Sequence, residues 1–87
     1  MEGQAMAMMP RYQCHKRVWA LKIKAVYFNQ DGSVDIVPEE SGYARFTVPP
    51  DKAAKHEWSI GGYYVQYEDG YVSYSPAKAF EEGYTRI

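Results

Sequence analysis

The chain has 87 residues, of which 46% are hydrophobic, and a formal net charge of −1. This length suits one small domain, which buries only about 60–65% of the surface that its unfolded chain exposes. The near-neutral charge argues against a dedicated nucleic-acid binder. Because there is one cysteine, no intramolecular disulfide can form, and the chain suits a reducing compartment.

The charges are distributed unevenly along the chain. Residues 3–30 carry five bases and no acid, whereas residues 31–87 carry ten acids and five bases. Such asymmetry can orient a partner or a second subunit. A solvated strand edge beside an acidic surface produces the same pattern, and the sequence leaves both interpretations open.

The first ten residues, MEGQAMAMMP, predict a flexible leader, and residues 11–87 predict a single domain. The leader lacks the basic region and apolar core of a secretory signal. Met8 or Met9 is an alternative natural start. The sequence contains no run of about 18 apolar residues, so no membrane span is expected.

The segment VWALKIKAVYF, residues 18–28, alternates in side-chain character with a period of two. This pattern predicts a half-buried strand whose core face includes Trp19, Ile23 and Tyr27. Lys22 and Lys24 would share the opposite face with apolar side chains.

The first turn is predicted at Asp31-Gly32, a pair that is typical of two-residue type I′ hairpins. The returning strand then covers residues 33–38. This turn would set Val26 opposite Val37, although a longer loop also fits the sequence.

Residues 42–48 predict a third strand, which ends at Pro49-Pro50. A proline followed by acidic and helix-favouring residues predicts one or two helical turns over residues 51–57.

The stretch GGYYVQYEDGYVSYSP, residues 61–76, holds five of the nine tyrosines. It predicts two strands, residues 62–67 and 71–75, joined by a type I′ turn at Asp69-Gly70. Directly opposed residues share a face. The predicted core face carries Tyr63, Val65, Tyr67, Val72 and Tyr74. The opposite face, predicted to be amphipathic, carries Tyr64, Gln66, Glu68, Tyr71 and Ser73.

The segment SPAKAFEEGY, residues 75–84, predicts a short helix. Ser75 would cap its N-terminus, Pro76 would occupy the first helical position, and Gly83 would end it in a left-handed conformation. The predicted fold class is therefore α+β: a small antiparallel sheet or open barrel of about five strands with a short C-terminal helix.

The sequence contains no catalytic motif, so we expect a protein that is not an enzyme and needs no cofactor. Cys14-His15 and the distant His56 do not have the spacing of a zinc site. Tyrosine suits the core of so small a domain, because its ring buries a large area while its hydroxyl remains in contact with water. The same tyrosines could instead line a binding site.

Four residues are the candidates for a small nucleotide-like ligand. A helix N-terminus at Ser75 could hold an anion, and Tyr64 or Tyr71 could stack on a base. Arg45 is the fourth candidate. Aromatic residues interleaved with bases also leave single-stranded nucleic acid as an alternative ligand. The acidic second half of the chain makes that alternative unfavourable.

A homodimer is expected, because fourteen aromatic residues are more than one small core conceals. Val18, Val26 and Phe28 would share the outer face of the first strand and form the interface between subunits.

The segments RYQCHKRVWALKI and GGYYVQYEDGYVSYSPAKAFEEGYTRI resemble a group of small, mostly uncharacterised proteins of tailed phages and prophages. The resemblance implies a phage accessory protein in the cytoplasm of a bacterial host. The hairpin and Ser-Pro helix are also similar in pattern to phage anti-defence proteins that sequester nucleotide signals. We therefore expect a non-enzymatic binding module that acts on a ligand or a host protein. The alternative is a structural or protein-interaction component of the phage particle.

Overall fold

The computed structural model describes residue 10 and residues 16–87. The predicted leader, except for Pro10, and the Cys14-His15 pair lie outside the described residues.

Five antiparallel strands form one curled sheet, a half-barrel in the order β3-β2-β1-β4-β5, and a short helix follows it. The predicted fold class is confirmed. The third strand is shorter than predicted, because only its last three residues pair with a neighbour. The elements are β1 (Val18–Phe28), β2 (Val34–Pro38), β3 (Phe46–Val48), α1 (Pro50–Ala53), β4 (Tyr63–Tyr67), β5 (Val72–Ser75) and α2 (Ala77–Gly83).

The central strand β1 serves two neighbours, since its first half pairs with β4 and its second half with β2. An irregularity between Ile23 and Ala25 shifts the register with β2. Ile23 is fully buried, as predicted, but Trp19 and Tyr27 are exposed, which corrects their predicted places in the core. A bulge of this kind changes which face the following residues occupy, which accounts for Tyr27. Trp19 precedes the bulge and keeps the face of Ile23, but it lies near the start of the strand opposite the exposed Gln66.

The turn between β1 and β2 is longer than the two-residue turn first expected. The Gly32 N–H donates to the carbonyl of Asn29 (3.1 Å), the Asn29 N–H donates to the carbonyl of Ser33 (2.9 Å), and Gly32 has φ = 91°. This is the type I turn followed by a left-handed glycine that makes a three-residue hairpin loop. Val26 therefore lies opposite Ile36 rather than Val37.

The turn between β4 and β5 repeats this geometry. The Gly70 N–H donates to the carbonyl of Tyr67 (2.9 Å), and Gly70 has φ = 91°. Tyr64 consequently lies opposite Tyr74, and both pack against the core. The predicted facing of β5 is confirmed, since Val72 and Tyr74 lie on the core side, but the predicted facing of β4 was wrong. A one-residue change of register exchanges the two faces of one strand relative to its partner.

Both turns have the same physical cause. A type I′ turn needs positive φ at both central residues, and in residues 16–87 only glycines have positive φ. Each aspartate instead accepts a hydrogen bond from the backbone two residues later, Asp31 from the Ser33 N–H (2.9 Å) and Asp69 from the Tyr71 N–H (3.0 Å). This side-chain bond favours the aspartate in an ordinary turn conformation.

The core lies on the concave side of the sheet and is closed by the segment after β3. The indole N–H of Trp58 donates to the carbonyl of Ala53 (3.0 Å) and ties this segment to α1. The helix α1 begins at Pro50, one residue before the predicted range, and ends at Ala53, four residues before the predicted end. The buried core cluster consists of Ile23, Val34, Ile36, Val48, Ala53, Trp58 and Val72.

Gly62 is required by close packing. It is buried at the entrance to β4, and a Cβ at this position would overlap the ring of Tyr74. The Tyr74 ring also packs edge-on against Trp58, at 5.7 Å between ring centroids. The glycine thus lets a core tyrosine lie directly on the backbone.

The helix α2 packs on the opposite side of the sheet. Phe80 stacks on Tyr63 (4.2 Å between ring centroids), and Tyr84 stacks on Phe80 (4.6 Å). The carboxylate of Glu81 accepts hydrogen bonds from the Tyr63 hydroxyl (2.8 Å) and the Lys22 ammonium (3.3 Å). Two kinds of contact therefore hold the helix on the sheet: the stack of three aromatic rings and the hydrogen-bonded group around Glu81, which is the polar clasp of the helix.

The predicted caps of this helix were wrong, although it ends at Gly83 as expected. Ser75 belongs to β5, where it pairs with Tyr63, and Pro76 occupies the capping position without a side-chain hydrogen bond. Pro76 is itself extended (φ −60°, ψ 149°), so the helix begins at Ala77 and Ser75 lies one residue before the capping position. Gly83 is the last residue of the helix and lacks a positive φ, and the chain leaves through Tyr84 in an extended conformation.

Candidate functional site

Tyr64, a candidate ligand-stacking residue, packs against the core. Its ring lies edge-on to Phe46 at 4.7 Å and stacked on Trp58 at 6.1 Å. Its hydroxyl donates to the side-chain carbonyl of Gln66 (3.4 Å). Burial raises the pKa of Tyr64. One face of the Tyr64 ring therefore packs against Trp58 and cannot stack on a ligand.

Arg45 belongs to a polar cluster on the other side of the sheet. Its Nε and Nη2 donate to Oδ2 of Asp35 (3.1 and 2.9 Å), and its guanidinium lies over the ring of Tyr27 at 4.5 Å. Hydrogen bonds from Thr47, Asn29 and Arg45 lower the pKa of Asp35. This cluster ties β1, β2 and β3 together and neutralises the guanidinium charge.

Tyr71 lies on the surface at the β4–β5 turn. Its side chain is 48% exposed, and its ring is tilted against Tyr67 at 5.7 Å and edge-on to His56 at 6.3 Å. The Lys16 ammonium lies over the other tyrosine of this pair, 5.4 Å from the Tyr67 ring centroid. Two tyrosines and a cation thus meet at one end of the sheet.

These tyrosines line a surface depression that sequence reasoning did not identify. Its remaining side chains are two bases from the start of the described chain and two acids from the β4–β5 turn. The lining consists of Lys16, Arg17, Tyr67, Glu68, Asp69 and Tyr71. Only the fold shows that the bases and the distant turn are neighbours, because β1 and β4 are antiparallel.

The four candidate ligand residues do not form one cluster. Tyr64 packs on the core side, whereas Arg45 is bonded to Asp35, which lies opposite Thr47 on the outer side. Tyr71 is at the β4–β5 turn, and the Ser75 hydroxyl donates to the carbonyl of Pro76 (3.4 Å).

The three residues expected at a dimer interface are likewise separated. Val18 lies opposite Tyr67 on the helix side, whereas Val26 lies opposite Ile36 and packs against the core. Phe28, at the end of β1, is 70% exposed. The prediction that they share one outer face was wrong because of the irregularity in β1.

In residues 16–87 no group of three His, Cys, Asp or Glu side chains could hold a metal ion. One buried side-chain nitrogen there, Nε2 of His56, has no hydrogen-bond partner. The described chain has no helix long and apolar enough to cross a membrane.

The structure is similar to the NMR solution structure of the monomeric form of the phage L decoration protein. The TM-score is 0.62 and the sequence identity is 31%. The match covers 80% of this chain and 52% of that chain, so the chain spans about half the length of its structural neighbour. No protein-family model and no curated protein sequence matches the chain. The similarity is consistent with a phage protein and favours the phage-particle alternative over the anti-defence interpretation.

Proposed function

We propose that this chain is a non-enzymatic structural protein of a phage particle, which binds to the assembled protein surface as a decoration protein. The observation that carries the proposal is the similarity to the phage L decoration protein, which extends over 80% of this chain with a TM-score of 0.62 and 31% sequence identity. At 31% identity the agreement extends beyond a common fold to the residues themselves.

The exposed side chains support a protein-binding role. Protein interfaces are enriched in tryptophan, tyrosine and arginine, and a few such residues carry most of the binding energy. Trp19 and Phe28, near the two ends of β1, are 62% and 70% exposed. An attachment surface at either end of the sheet would bury one of these aromatic side chains.

The test uses particles of the phage whose genome encodes the chain, produced with this gene deleted. Purified protein is mixed with these particles, and the mixture is separated on a density gradient. We expect saturable co-migration of the protein with the particles, while an unrelated protein of similar mass stays at the top. Particles that bind no protein, together with its absence from complete particles by mass spectrometry, would overturn the proposal.

Alanine variants at the two exposed aromatic residues then locate the attachment surface. Trp19→Ala and Phe28→Ala form a matched pair, because both side chains are exposed and neither belongs to the buried core cluster. Loss of co-migration for one variant alone identifies the end of the sheet that contacts the particle. If particles do not bind and calorimetric titration with nucleotides releases heat, the ligand-sequestering alternative is favoured instead.

A further inference from the structure

The strand β5 is an edge of the sheet, and its backbone has a defined outward side. The Tyr67 N–H donates to the carbonyl of Tyr71 (2.8 Å), and the pairing continues from Val65 with Ser73 to Tyr63 with Ser75. Hydrogen-bonded pairs alternate along an antiparallel ladder. The N–H and C=O groups of the residues between them, Val72 and Tyr74, therefore point away from β4.

This edge differs from the other edge of the sheet in its charge. Residues 71–77, YVSYSPA, carry no charge, and no further strand lies beside β5 in the described chain. Both edge strands are short and end at proline: β5 has four residues and is followed by Pro76, and β3 has three residues and is followed by Pro49-Pro50. The difference is Arg45, a charged residue that directly precedes β3 and has no counterpart before β5. Charges, prolines and short length are the usual means of blocking an edge strand.

The helix that follows β5 leaves the edge open on the outer side. Phe80 stacks on Tyr63 in β4, and Glu81 bonds to Lys22 in β1, so α2 leads away from the edge toward the centre of the sheet. On the outer face the strand itself presents Ser73 and Ser75, two small side chains. A neighbouring strand would meet little obstruction from this face.

We propose that β5 pairs with β5 of a second copy of this chain in a two-fold antiparallel ladder centred on Ser73. Val72 of each copy then lies opposite Tyr74 of the other, and these residues exchange backbone hydrogen bonds. A β-branched residue opposite an aromatic one is a favourable cross-strand pair. The occupant is a second copy because the uncharged edge is self-complementary, so a two-fold axis brings no like charges together. The proposal does not depend on particle binding.

Introducing charge at the two-fold axis tests this arrangement. The variants Ser73→Lys and Ser73→Asp each place two like charges directly opposite one another, so each should be monomeric in sedimentation velocity at tens of micromolar. The dissociation constant should rise about tenfold or more. An equimolar mixture of the two variants should restore the dimer, because the lysine introduced in one copy then faces the aspartate introduced in the other. General damage to the fold would not be repaired by mixing.

Two control variants separate the edge from other surfaces. Gln66→Lys adds the same charge to an exposed position on β4, which is not an edge, and should leave the dimer intact. Phe28→Asp should also leave it intact, although it would dissociate a dimer formed through β1. A dimer lost in Phe28→Asp and retained in both Ser73 variants would overturn the proposal, as would an unmutated protein that stays monomeric.

Hydrogen exchange on the unmutated protein decides the matter if the Ser73 variants do not fold. The backbone amides of Val72 and Tyr74 should become at least tenfold more protected as protein concentration is raised through the dimerisation range. The amide of Thr47, which points outward from the β3 edge, should not change. A dimer in which Val72 and Tyr74 keep their monomeric exchange rates would contradict the proposed ladder.

Discussion

The two sides of the sheet use aromatic side chains in different ways. On the concave side Trp58 is only 5% exposed, and Tyr64 and Tyr74 pack against it. On the helix side Phe80 lies between Tyr63 and Tyr84, yet no residue of α2 is fully buried. The same residue types form an enclosed core in one place and a partly exposed stack in the other.

This difference indicates unequal stability within one small domain. A seven-residue helix is not stable in isolation and depends on its packing. Regions with few buried contacts open at lower free energy than the core of the same protein. We therefore expect the concave side to carry the global stability and the helix side to open locally.

The largest effect is expected for Trp58→Ala. Removing this side chain leaves a cavity in the core and deletes the hydrogen bond to the Ala53 carbonyl. The free energy of unfolding, measured by urea titration, should fall by about 3–5 kcal/mol. Trp19→Ala is the matched control, and its effect should stay within about 0.5 kcal/mol because Trp19 is 62% exposed. Equal losses of unfolding free energy for the two variants would contradict the expectation that the concave side carries the global stability.

A smaller loss is expected when the concave side is overfilled at Gly62. Gly62→Ala places a methyl group against the Tyr74 ring and should cost about 1–3 kcal/mol in the urea titration. Gly83→Ala is the control, since a Cβ there meets open space, and it should stabilise α2 by about 0.5–1 kcal/mol. When Tyr74→Ala is also present, the free-energy cost of Gly62→Ala should be smaller, because the two residues are in contact. Full additivity would show that Tyr74 is not the obstacle.

On the helix side, Phe80→Ala should release α2 while the core stays folded. The loss of its two ring stacks should cost about 1–2 kcal/mol. Amide exchange should accelerate in residues 77–84 and remain slow at Ile23 and Ile36. Uniform acceleration across both regions would mean that the helix and the core unfold together.

The smallest effect concerns the polar clasp of the helix. Hydrogen bonds from the Tyr63 hydroxyl and the Lys22 ammonium lower the pKa of Glu81 below its usual 4.5. A lowered folded-state pKa contributes stability above pH 4.5, and this contribution is lost as the pH falls through the folded-state value.

Glu81→Gln should therefore lose stability at pH 7 and show a flatter decline toward acid than the unmutated protein, as measured by thermal unfolding. The exposed neighbour Glu82 provides the control, because Glu82→Gln should keep the unmutated pH profile. A Glu81→Gln profile parallel to that of the unmutated protein would show that the clasp contributes nothing.

Local sequence patterns specify much of this fold. The period-two alternation predicted β1 with its observed bounds, Val18–Phe28, and the proline at residue 50 marked the start of α1. The Asp-Gly pairs correctly located both hairpin turns. These features are local, since strand propensity, proline geometry and glycine conformation act over a few neighbouring residues.

Register and facing depend on the tertiary structure. A two-residue and a three-residue turn differ by one position, yet that difference moved Tyr64 from the predicted outer face into the core. The irregularity in β1 separated Val18 from Val26 in the same way. The depression beside Tyr71 forms because an antiparallel pairing brings Lys16 and Arg17 to a turn that is distant along the chain. Side-chain contacts across the sheet select among registers that are locally similar, so the sequence pattern located the strands and packing decided which residues they bury.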